Sequence, residues 1–474
     1  MGQDTAGGAG RLDERSIRKV AAISAVGSTI EWYDFFIFGT AAALVFPDLF
    51  FPDASPTAGA LLSFSVFGVA FLARPLGGVV WGHFGDRVGR KKAFLTALFT
   101  MATGTTLIGV LPTYATIGIA APIILTVLRF VQGLAVGGQW GGAVLLATEF
   151  APPRKRGFYG SFAQVGVPLG VIFGQVLFIV LASQTAPETF AAWGWRVPFL
   201  ISVLLIGVAV YAQRKLEDTP AFRHLQELRA QQADQAGAAA PQRGSSPIIE
   251  AFRRYHRQIL LGAGAFIVVN ATFYIYIVYV LDYATEDLGL STTTVLVAIL
   301  IASVVQIGAL PAFAALSDRI GRRRTYLFGA IATAVWAIPF FLLIDTASPV
   351  ALAVALVVAQ LALSMMYGPQ AAFFSEMFSA RVRYSGASLG YQIGAALGGG
   401  FSPVIATALL ASTGSTLAIS AYMIVLALLA VACVWALTET YESDMDDAGE
   451  EPVGAPGDQQ VTGRPSPPSP PSPR

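Results

Sequence analysis

Two copies of one charged stretch decide the fold: Gly82-His83-Phe84-Gly85-Asp86-Arg87-Val88-Gly89-Arg90-Lys91-Lys92, and Ala314-Ala315-Leu316-Ser317-Asp318-Arg319-Ile320-Gly321-Arg322-Arg323-Arg324. Each copy is a short turn between two long apolar runs, and the copies lie about half the chain apart. The alternative is a solvated basic loop in a water-soluble enzyme. A soluble core, however, would not normally interrupt its apolar runs with such a cluster of cations and then repeat it. The pattern predicts a duplicated membrane bundle.

The composition also points away from a water-soluble protein. Hydrophobic residues make up 55% of the chain and charged residues only 12%, whereas about a quarter of an ordinary soluble domain is charged. The net charge of +1 gives no sign of a nucleic-acid partner. A single cysteine and three histidines without metal-ligand spacing indicate neither a disulfide nor a metal site. No Walker loop or nucleophile elbow points to an enzyme or to a cofactor.

Twelve apolar stretches are long enough to cross a bilayer, which takes about 20 helical residues. They lie near residues 20–46, 58–83, 93–111, 117–148, 158–183, 196–213, 258–283, 294–316, 325–344, 350–374, 385–411 and 415–437. The predicted fold class is an all-α polytopic membrane protein, with about 12 transmembrane helices in two pseudo-symmetric six-helix bundles.

The stretches between these spans define the domain organisation. Residues 1–19 form an N-terminal segment, 20–213 the first bundle, 214–257 a polar central linker and 258–437 the second bundle. The tail, 438–474, is acidic and then rich in proline and serine. Because it has nothing apolar to bury, it is predicted to be disordered.

The positions of the cations predict the orientation. Short loops rich in Lys and Arg stay on the cytoplasmic side. With both termini inside, all 30 Lys and Arg residues except Arg74, Arg129 and Arg196 fall on cytoplasmic segments. A wrong span count would scatter them over both faces.

A second internal match supports the duplication. The stretch from Glu149 to Arg156 resembles the stretch from Glu376 to Arg383, and each follows the fourth span of its half. An acid at the C-terminal end of a helix is disfavoured by the helix dipole, so a nearby arginine is the expected partner. These four residues are predicted to clamp the bundles together at the helix ends.

The chemistry is expected where charge enters the membrane. A charge at mid-membrane costs about 2.5 to 3.5 kcal/mol on insertion scales, so Glu31, Asp34 and Arg129 each need a partner or a water-filled cavity. Glu31 and Asp34 share one helix face. Mutual repulsion and burial favour a bound proton on such a pair, which is therefore predicted to couple a proton. Arg129, which keeps its charge, would hold one carboxylate ionised or receive an anionic substrate. The structural alternative is a fixed Asp34–Arg129 pair between helices.

Other residues are candidates for the wall of a substrate cavity. Arg74 is one, although a long side chain in its position can snorkel towards water. Gly137, Gly138, Gly141 and Gly142 favour close helix packing. The remaining cavity candidates, each with interhelical packing as the alternative, are Gln139, Trp140, Asn270, Tyr274, Tyr391 and Gln392.

The sequence resembles the major facilitator superfamily, whose loop signature is matched by residues 82–91. Within it, the chain looks like the metabolite:proton symporters, a group with permeases for proline or glycine betaine, shikimate and α-ketoglutarate. The stretches that carry this likeness are Glu31-Trp-Tyr-Asp34-Phe, Arg74-Pro-Leu-Gly-Gly78, Arg129-Phe-Val-Gln132-Gly, Gly137-Gly-Gln-Trp-Gly-Gly142, Trp193-Gly-Trp-Arg196-Val-Pro198 and Arg383-Tyr-Ser-Gly386. The second loop copy departs from the signature at Ala314.

The resemblance implies a proton symporter in the bacterial cell membrane that imports a small carboxylate-bearing metabolite. Its partners would be that substrate, the proton and the lipid bilayer, and the protein would be monomeric. It also implies a cytoplasmic gate built from the two loops: Gly82, Asp86, Arg87, Gly89, Arg90, Asp318, Arg319 and Arg322. A drug-type proton antiporter and a transporter-like sensor are the alternatives. The short tail without heptads offers little for a sensor.

The cation distribution predicts that both termini face the cytoplasm. Fusions of a reporter that is active only in the cytoplasm should therefore report activity at the N-terminus and the C-terminus. A fusion after residue 287, in the predicted outer loop, serves as the opposite control. A C-terminal reporter on the outer face would contradict the topology.

Overall fold

In the computed structural model of the chain, the long elements of the described residues are helices. The structure describes residues 14–88, 90–137, 147–148, 151–204, 207, 247–379 and 382–441. In the first half the helices are α1 Glu14–Leu44, α2 Pro56–Val88, α3 Arg90–Val110, α4 Ala120–Val136, α5 Arg156–Gln184 and α6 196–204. Short helical turns lie between them at Phe46–Phe50, Tyr114–Ile117, Pro153–Lys155, Pro187–Thr189 and Phe190–Gly194.

The second half repeats this arrangement. Its helices are α7 Pro247–Tyr274, continued by Ile275–Tyr279 and Val280–Glu286, then α8 Thr292–Ile320, α9 Arg322–Ile344, α10 Pro349–Glu376, α11 Arg383–Gly398 with Ser402–Thr413, and α12 Thr416–Ala436. Each of the twelve predicted spans therefore overlaps a helix in the described residues, while parts of the fourth and sixth spans lie outside them. Within the described residues, eight helices are long and apolar enough to cross a membrane. The predicted all-α polytopic fold is confirmed.

Two boundaries differ from the sequence prediction. Helix α7 begins at Pro247, inside the predicted linker, and its backbone leaves the helical region at Tyr255 (φ −121°, ψ 23°) before the span proper. The predicted eleventh span is two helices separated by residues 399–401. Gly68 of α2 faces this break, and a Cβ atom there would lie 2.6 Å from the carbonyl oxygen of Gly400. The break thus lets two backbones from opposite halves approach closely.

The halves meet along several helix pairs, of which α5 with α8 and α10, and α2 with α11, are the most extensive. Helix α7 is buried almost all round, whereas α9 and α12 turn much of their surface outwards. Apolar side chains on those outer faces are what a helix in lipid requires, because its backbone polar groups are already satisfied internally.

A charged lock joins the halves at the end predicted to be cytoplasmic. The Asp318 carboxylate accepts hydrogen bonds from the backbone N–H groups of Gly157 and Phe158, both at 2.9 Å, at the start of α5. Arg322 lies 2.6 Å from Asp318 and 3.2 Å from Glu376. A carboxylate on the free N–H groups of a helix N-terminus is a favourable contact that is lost if the helix moves away. The lock therefore opposes separation of the halves at this end.

The predicted clamp and gate residues are described only in part. The described partner of Glu376 is Arg322 rather than Arg383, whose Nε donates to the carbonyl of Phe378 at 3.2 Å. Arg156 lies close enough to Glu376 to interact with it electrostatically. Arg319 is exposed. Glu149 and Gly89 lie outside the described residues. Gly82, Asp86, Arg87 and Arg90 are helical, but only their backbone is described.

The start of the tail differs from the predicted disorder. Glu439 accepts hydrogen bonds from the backbone N–H groups of Arg322 at 2.8 Å and Arg323 at 3.1 Å, so it caps the N-terminus of α9. The Thr440 hydroxyl, which is buried, donates to Glu376 at 2.8 Å. Residues 438–441 are therefore ordered by polar contacts, although the sequence predicts a tail that is disordered because it has nothing apolar to bury. Residues 442–474 lie outside the described part.

We predict that Gly157→Val weakens the lock. Its Cβ atom would meet the Ala314 carbonyl oxygen at 2.7 Å and the Asp318 carboxylate at 2.9 Å. Ser375, a buried residue of α10 beside the lock, is replaced by cysteine in purified protein whose own cysteine is removed by Cys433→Ser. In this background, maleimide should label the new cysteine severalfold faster when Gly157→Val is also present.

The matched control is Gly308→Val on α8, where a Cβ atom meets nothing within 4 Å. With Gly308→Val, the cysteine at position 375 should be labelled at the same rate as in protein without a glycine substitution. If Gly157→Val labels no faster than this control, the lock does not hold the halves together.

Candidate functional site

Two arginines are buried side by side within the first half. Arg74 on α2 and Arg129 on α4 are 2% and 0% exposed. The helices that carry them pack backbone against backbone, because Gly133 faces the carbonyl of Ala70 and Gly137 faces the carbonyl of Arg74, with no room for a Cβ atom at either glycine. The sequence allowed the Arg74 side chain to snorkel towards water, but in the structure this side chain is buried.

The two guanidinium groups share one aromatic ring. The Cζ atoms of Arg74 and Arg129 each lie 4.1 Å from the centre of the Phe35 ring on α1. Phe71 lies 4.6 Å from Arg74, and Phe38 lies 4.1 Å from Arg129. A cation–π contact away from water contributes about 2 kcal/mol. That does not offset the several kcal/mol lost with the water shell of a buried ion, so the site also needs anions.

Asp34 supplies one anion, through a chain of hydrogen bonds. Its carboxylate accepts from Ser202 at 2.8 Å and from Thr105 at 3.0 Å. Gln132 donates to the Thr105 hydroxyl at 2.6 Å and accepts from Arg129 at 3.2 Å. In the described part of the chain Asp34 and Arg129 form no direct ion pair. The fixed pair that the sequence left open is thus replaced by a relay through two neutral side chains.

Glu31 supplies the second anion and is held differently. It lies one helical turn from Asp34, is partly exposed, and accepts no hydrogen bond among the residues that the structure describes. Its electrostatic partner is Arg74. The predicted shared face of α1 thus presents two carboxylates with different partners: a fixed one towards Arg129 and a loosely held one towards Arg74.

A small cavity lies between the halves, next to this group. The predicted candidates Asn270, Tyr274 and Tyr391 all line it. Gln392 does not; its side-chain amide donates to the carbonyl of Gly137 at 3.3 Å, in the opposite half. Gln139 and Trp140 lie outside the described residues. The other lining residues are Trp32, Val167, Phe266, Val269, Phe273, Leu363 and Tyr367.

Several buried polar atoms in this region have no hydrogen-bond partner in the part of the chain that the structure describes; Tyr274 lines the cavity, and Arg74 contacts its lining residue Trp32. Within the described residues, Nε and Nη2 of both Arg74 and Arg129 and the hydroxyl of Tyr274 are buried without a hydrogen-bond partner. Asn270 makes one long contact, 3.4 Å, to the carbonyl of Phe266. Buried donors are normally satisfied. Donors left over beside an aromatic-lined cavity suit an anionic or hydroxylated small molecule.

The comparisons with known proteins cover most of the chain. The family model described as "Sugar (and other) transporter" matches residues 20–451. The chain is 41% identical to the shikimate transporter of Escherichia coli (strain K12) over 85% of this chain and 90% of that protein. It is 33% identical to the proline/betaine transporter of Salmonella typhimurium (strain LT2), over 90% and 85%.

Among solved structures, the inward-open xylose transporter XylE from E. coli is similar, with a TM-score of 0.66, 16% identity and coverage of 91% of this chain and 99% of that one. That likeness shows the fold alone. The sequence matches go further, because they span nearly the whole chain at identities above 30%. This multi-pass membrane protein is not an enzyme, and it belongs to the Sugar (and other) transporter family.

Proposed function

We propose that this protein is a proton-coupled symporter. It imports a small carboxylate-bearing metabolite, such as shikimate, a dicarboxylate, proline or glycine betaine, by alternating access. The observation that carries the proposal is the Arg74 guanidinium, which is buried beside the cavity with Nε and Nη2 unpartnered. A guanidinium keeps its charge and matches a carboxylate in shape.

The cavity walls fit such a substrate. Tyr274 and Asn270 offer polar atoms, and Trp32 and Phe273 offer ring faces. Ring faces also suit the quaternary ammonium group of a betaine. The names of two similar proteins, the shikimate transporter and the proline/betaine transporter, both denote substrates of this chemical class.

The proton would be carried by the carboxylates of α1. Glu31 and Asp34 lie one turn apart, and Arg129 is joined to Asp34 through Gln132 and Thr105. A proton that neutralises one carboxylate changes the charge balance around two permanent cations. Loading of the proton and loading of the substrate are thereby linked.

The two halves would rock about this site. In the proposed cycle the lock formed by Asp318, Arg322 and the start of α5 closes the cytoplasmic side. Asp86, Arg87 and Arg90 would form its counterpart in the first half. The transporter would act as a monomer with both termini in the cytoplasm.

The substrate can be identified in proteoliposomes. Radiolabelled shikimate, a dicarboxylate, proline and glycine betaine should be tested with an inward proton gradient and without one. We expect that at least one of these compounds is taken up and that its uptake depends on the proton gradient. A substrate-driven proton flux in the opposite direction to the substrate would instead indicate antiport.

We predict that Glu31→Gln and Asp34→Asn each abolish accumulation against a gradient and leave substrate exchange largely intact. Exchange requires the loaded site to reorient but no change in its protonation. Accumulation and counterflow should be measured on the same vesicles, with Glu188→Gln, an exposed carboxylate of a loop turn, as the control.

Normal proton-coupled accumulation in both variants would show that the two carboxylates are structural. Loss of exchange as well as accumulation, with correctly folded protein, would place them in substrate binding rather than in proton coupling.

A further inference from the structure

The two arginines of the site differ in how their charges are met. Arg129 is tied through Gln132 and Thr105 to Asp34, and Asp34 also accepts a hydrogen bond from Ser202. This chain of hydrogen bonds links Arg129 to an anion through Nη1 alone, while its Nε and Nη2 atoms have no partner among the described residues.

Arg74 has no such chain. Its Nε and Nη2 atoms have no hydrogen-bond partner in the described part of the protein. The carboxylate that attracts it, Glu31, accepts no described hydrogen bond and is partly exposed. Glu31 can therefore leave Arg74 without breaking a built contact, and it borders the same aromatic groups as the cavity.

We infer that Glu31 and the carboxylate of the substrate alternate as the counter-ion of Arg74. This rests on the proposed function. In the empty site Glu31 is ionised and balances Arg74. When Glu31 takes up a proton, the Arg74 charge is left uncompensated among the rings of Trp32, Phe35 and Phe71, and a substrate carboxylate takes its place.

Both mixed states are disfavoured by electrostatics. A proton on Glu31 without a substrate leaves a buried cation alone, which is costly. A substrate carboxylate beside an ionised Glu31 puts two anions on one guanidinium, and like charges in a poorly solvated site repel strongly. Proton and substrate therefore bind together, which is the condition for symport.

The other groups that face Glu31 do not disturb this exchange. Three tyrosines of the second half lie near Glu31: Tyr274 of α7, Tyr367 of α10 and Tyr391 of α11. A tyrosine is neutral over the physiological pH range. Helix α5 presents Gly166 and Gly170 to α1. The charged groups nearby are Arg74, Asp34 one helical turn away, and Arg129, which shares the Phe35 ring with Arg74. Asp34 and Arg129 are joined to each other through Thr105 and Gln132.

The exchange fixes the charge that moves in each cycle. One proton, on Glu31, accompanies each substrate molecule, so a monocarboxylate anion such as shikimate crosses without net charge. A zwitterion such as proline or glycine betaine carries one net positive charge inward with its proton.

The test is equilibrium binding to purified protein between pH 5.5 and pH 8.5, with the compound of the four-member panel that is transported fastest. Unmodified protein should lose about tenfold in affinity for each pH unit above the midpoint, because one proton is linked to binding. Glu31→Gln should bind independently of pH with the affinity of the low-pH plateau. Glu188→Gln should behave as unmodified protein.

Glu31→Asp and Arg74→Lys guard against misfolding. Glu31→Asp keeps a titrating group and should keep pH-dependent binding, whereas Arg74→Lys should bind more weakly at every pH. A current measurement on solid-supported membranes should show no net charge for shikimate and inward positive charge for proline or betaine.

Two results would overturn the exchange and leave the proposed symport intact: pH-dependent binding that survives in Glu31→Gln, or net charge movement with a monocarboxylate. Failure of all four compounds to be transported would instead remove the carboxylate substrate, and with it both the proposed function and the exchange.

Discussion

The burial of two permanent cations is the constraint on which the site depends. Arg74 and Arg129 cannot lose their protons, and both lie out of contact with bulk water. One stretch of α1 supplies both carboxylates and a shared ring. Phe35 provides the ring over which both guanidinium groups lie, Glu31 attracts Arg74, and Asp34 is linked to Arg129 through Thr105 and Gln132. An apolar helix with a single such stretch is a strong sign that its charges act together.

Close packing of α2 and α4 is what brings the two cations to one ring. Gly133 and Gly137 lie directly on carbonyl groups of α2, at Ala70 and Arg74. Without a hydrophobic driving force between helices in lipid, small residues supply close backbone contact. The sequence predicted a packing role for the glycine group that begins at Gly137. What it did not show is that this packing sets the distance between two charges, since that requires the partner helix.

The spans could be predicted from the sequence because they depend on local composition and length, and each of the twelve overlaps a helix where the structure describes it. The buried charges were also visible, because any charge within an apolar run needs a reason. Their partners were not. Thr105 and Gln132, which stand between Asp34 and Arg129, are unremarkable neutral residues in sequence. The sequence also does not identify Trp32 and Phe273 as cavity residues, because a chain with 32 phenylalanines and 7 tryptophans gives no local signal that singles out an aromatic wall.

The lock and the site are joined by one helix. At its start α5 donates the N–H groups of Gly157 and Phe158 to Asp318 of the other half. Further along, Gly170 lies against the backbone of α1, where a Cβ atom would be 2.8 Å from the nitrogen of Tyr33 and 2.9 Å from the side chain of Trp32. Because the two backbones are this close, α1 cannot slide past α5 without a steric clash. In the proposed alternating access, release of Asp318 would therefore shift Trp32 together with α5 relative to the cavity walls of the second half. Because Glu31 precedes Trp32 on the same helix, the proposed counter-ion of Arg74 would move with the wall of the cavity.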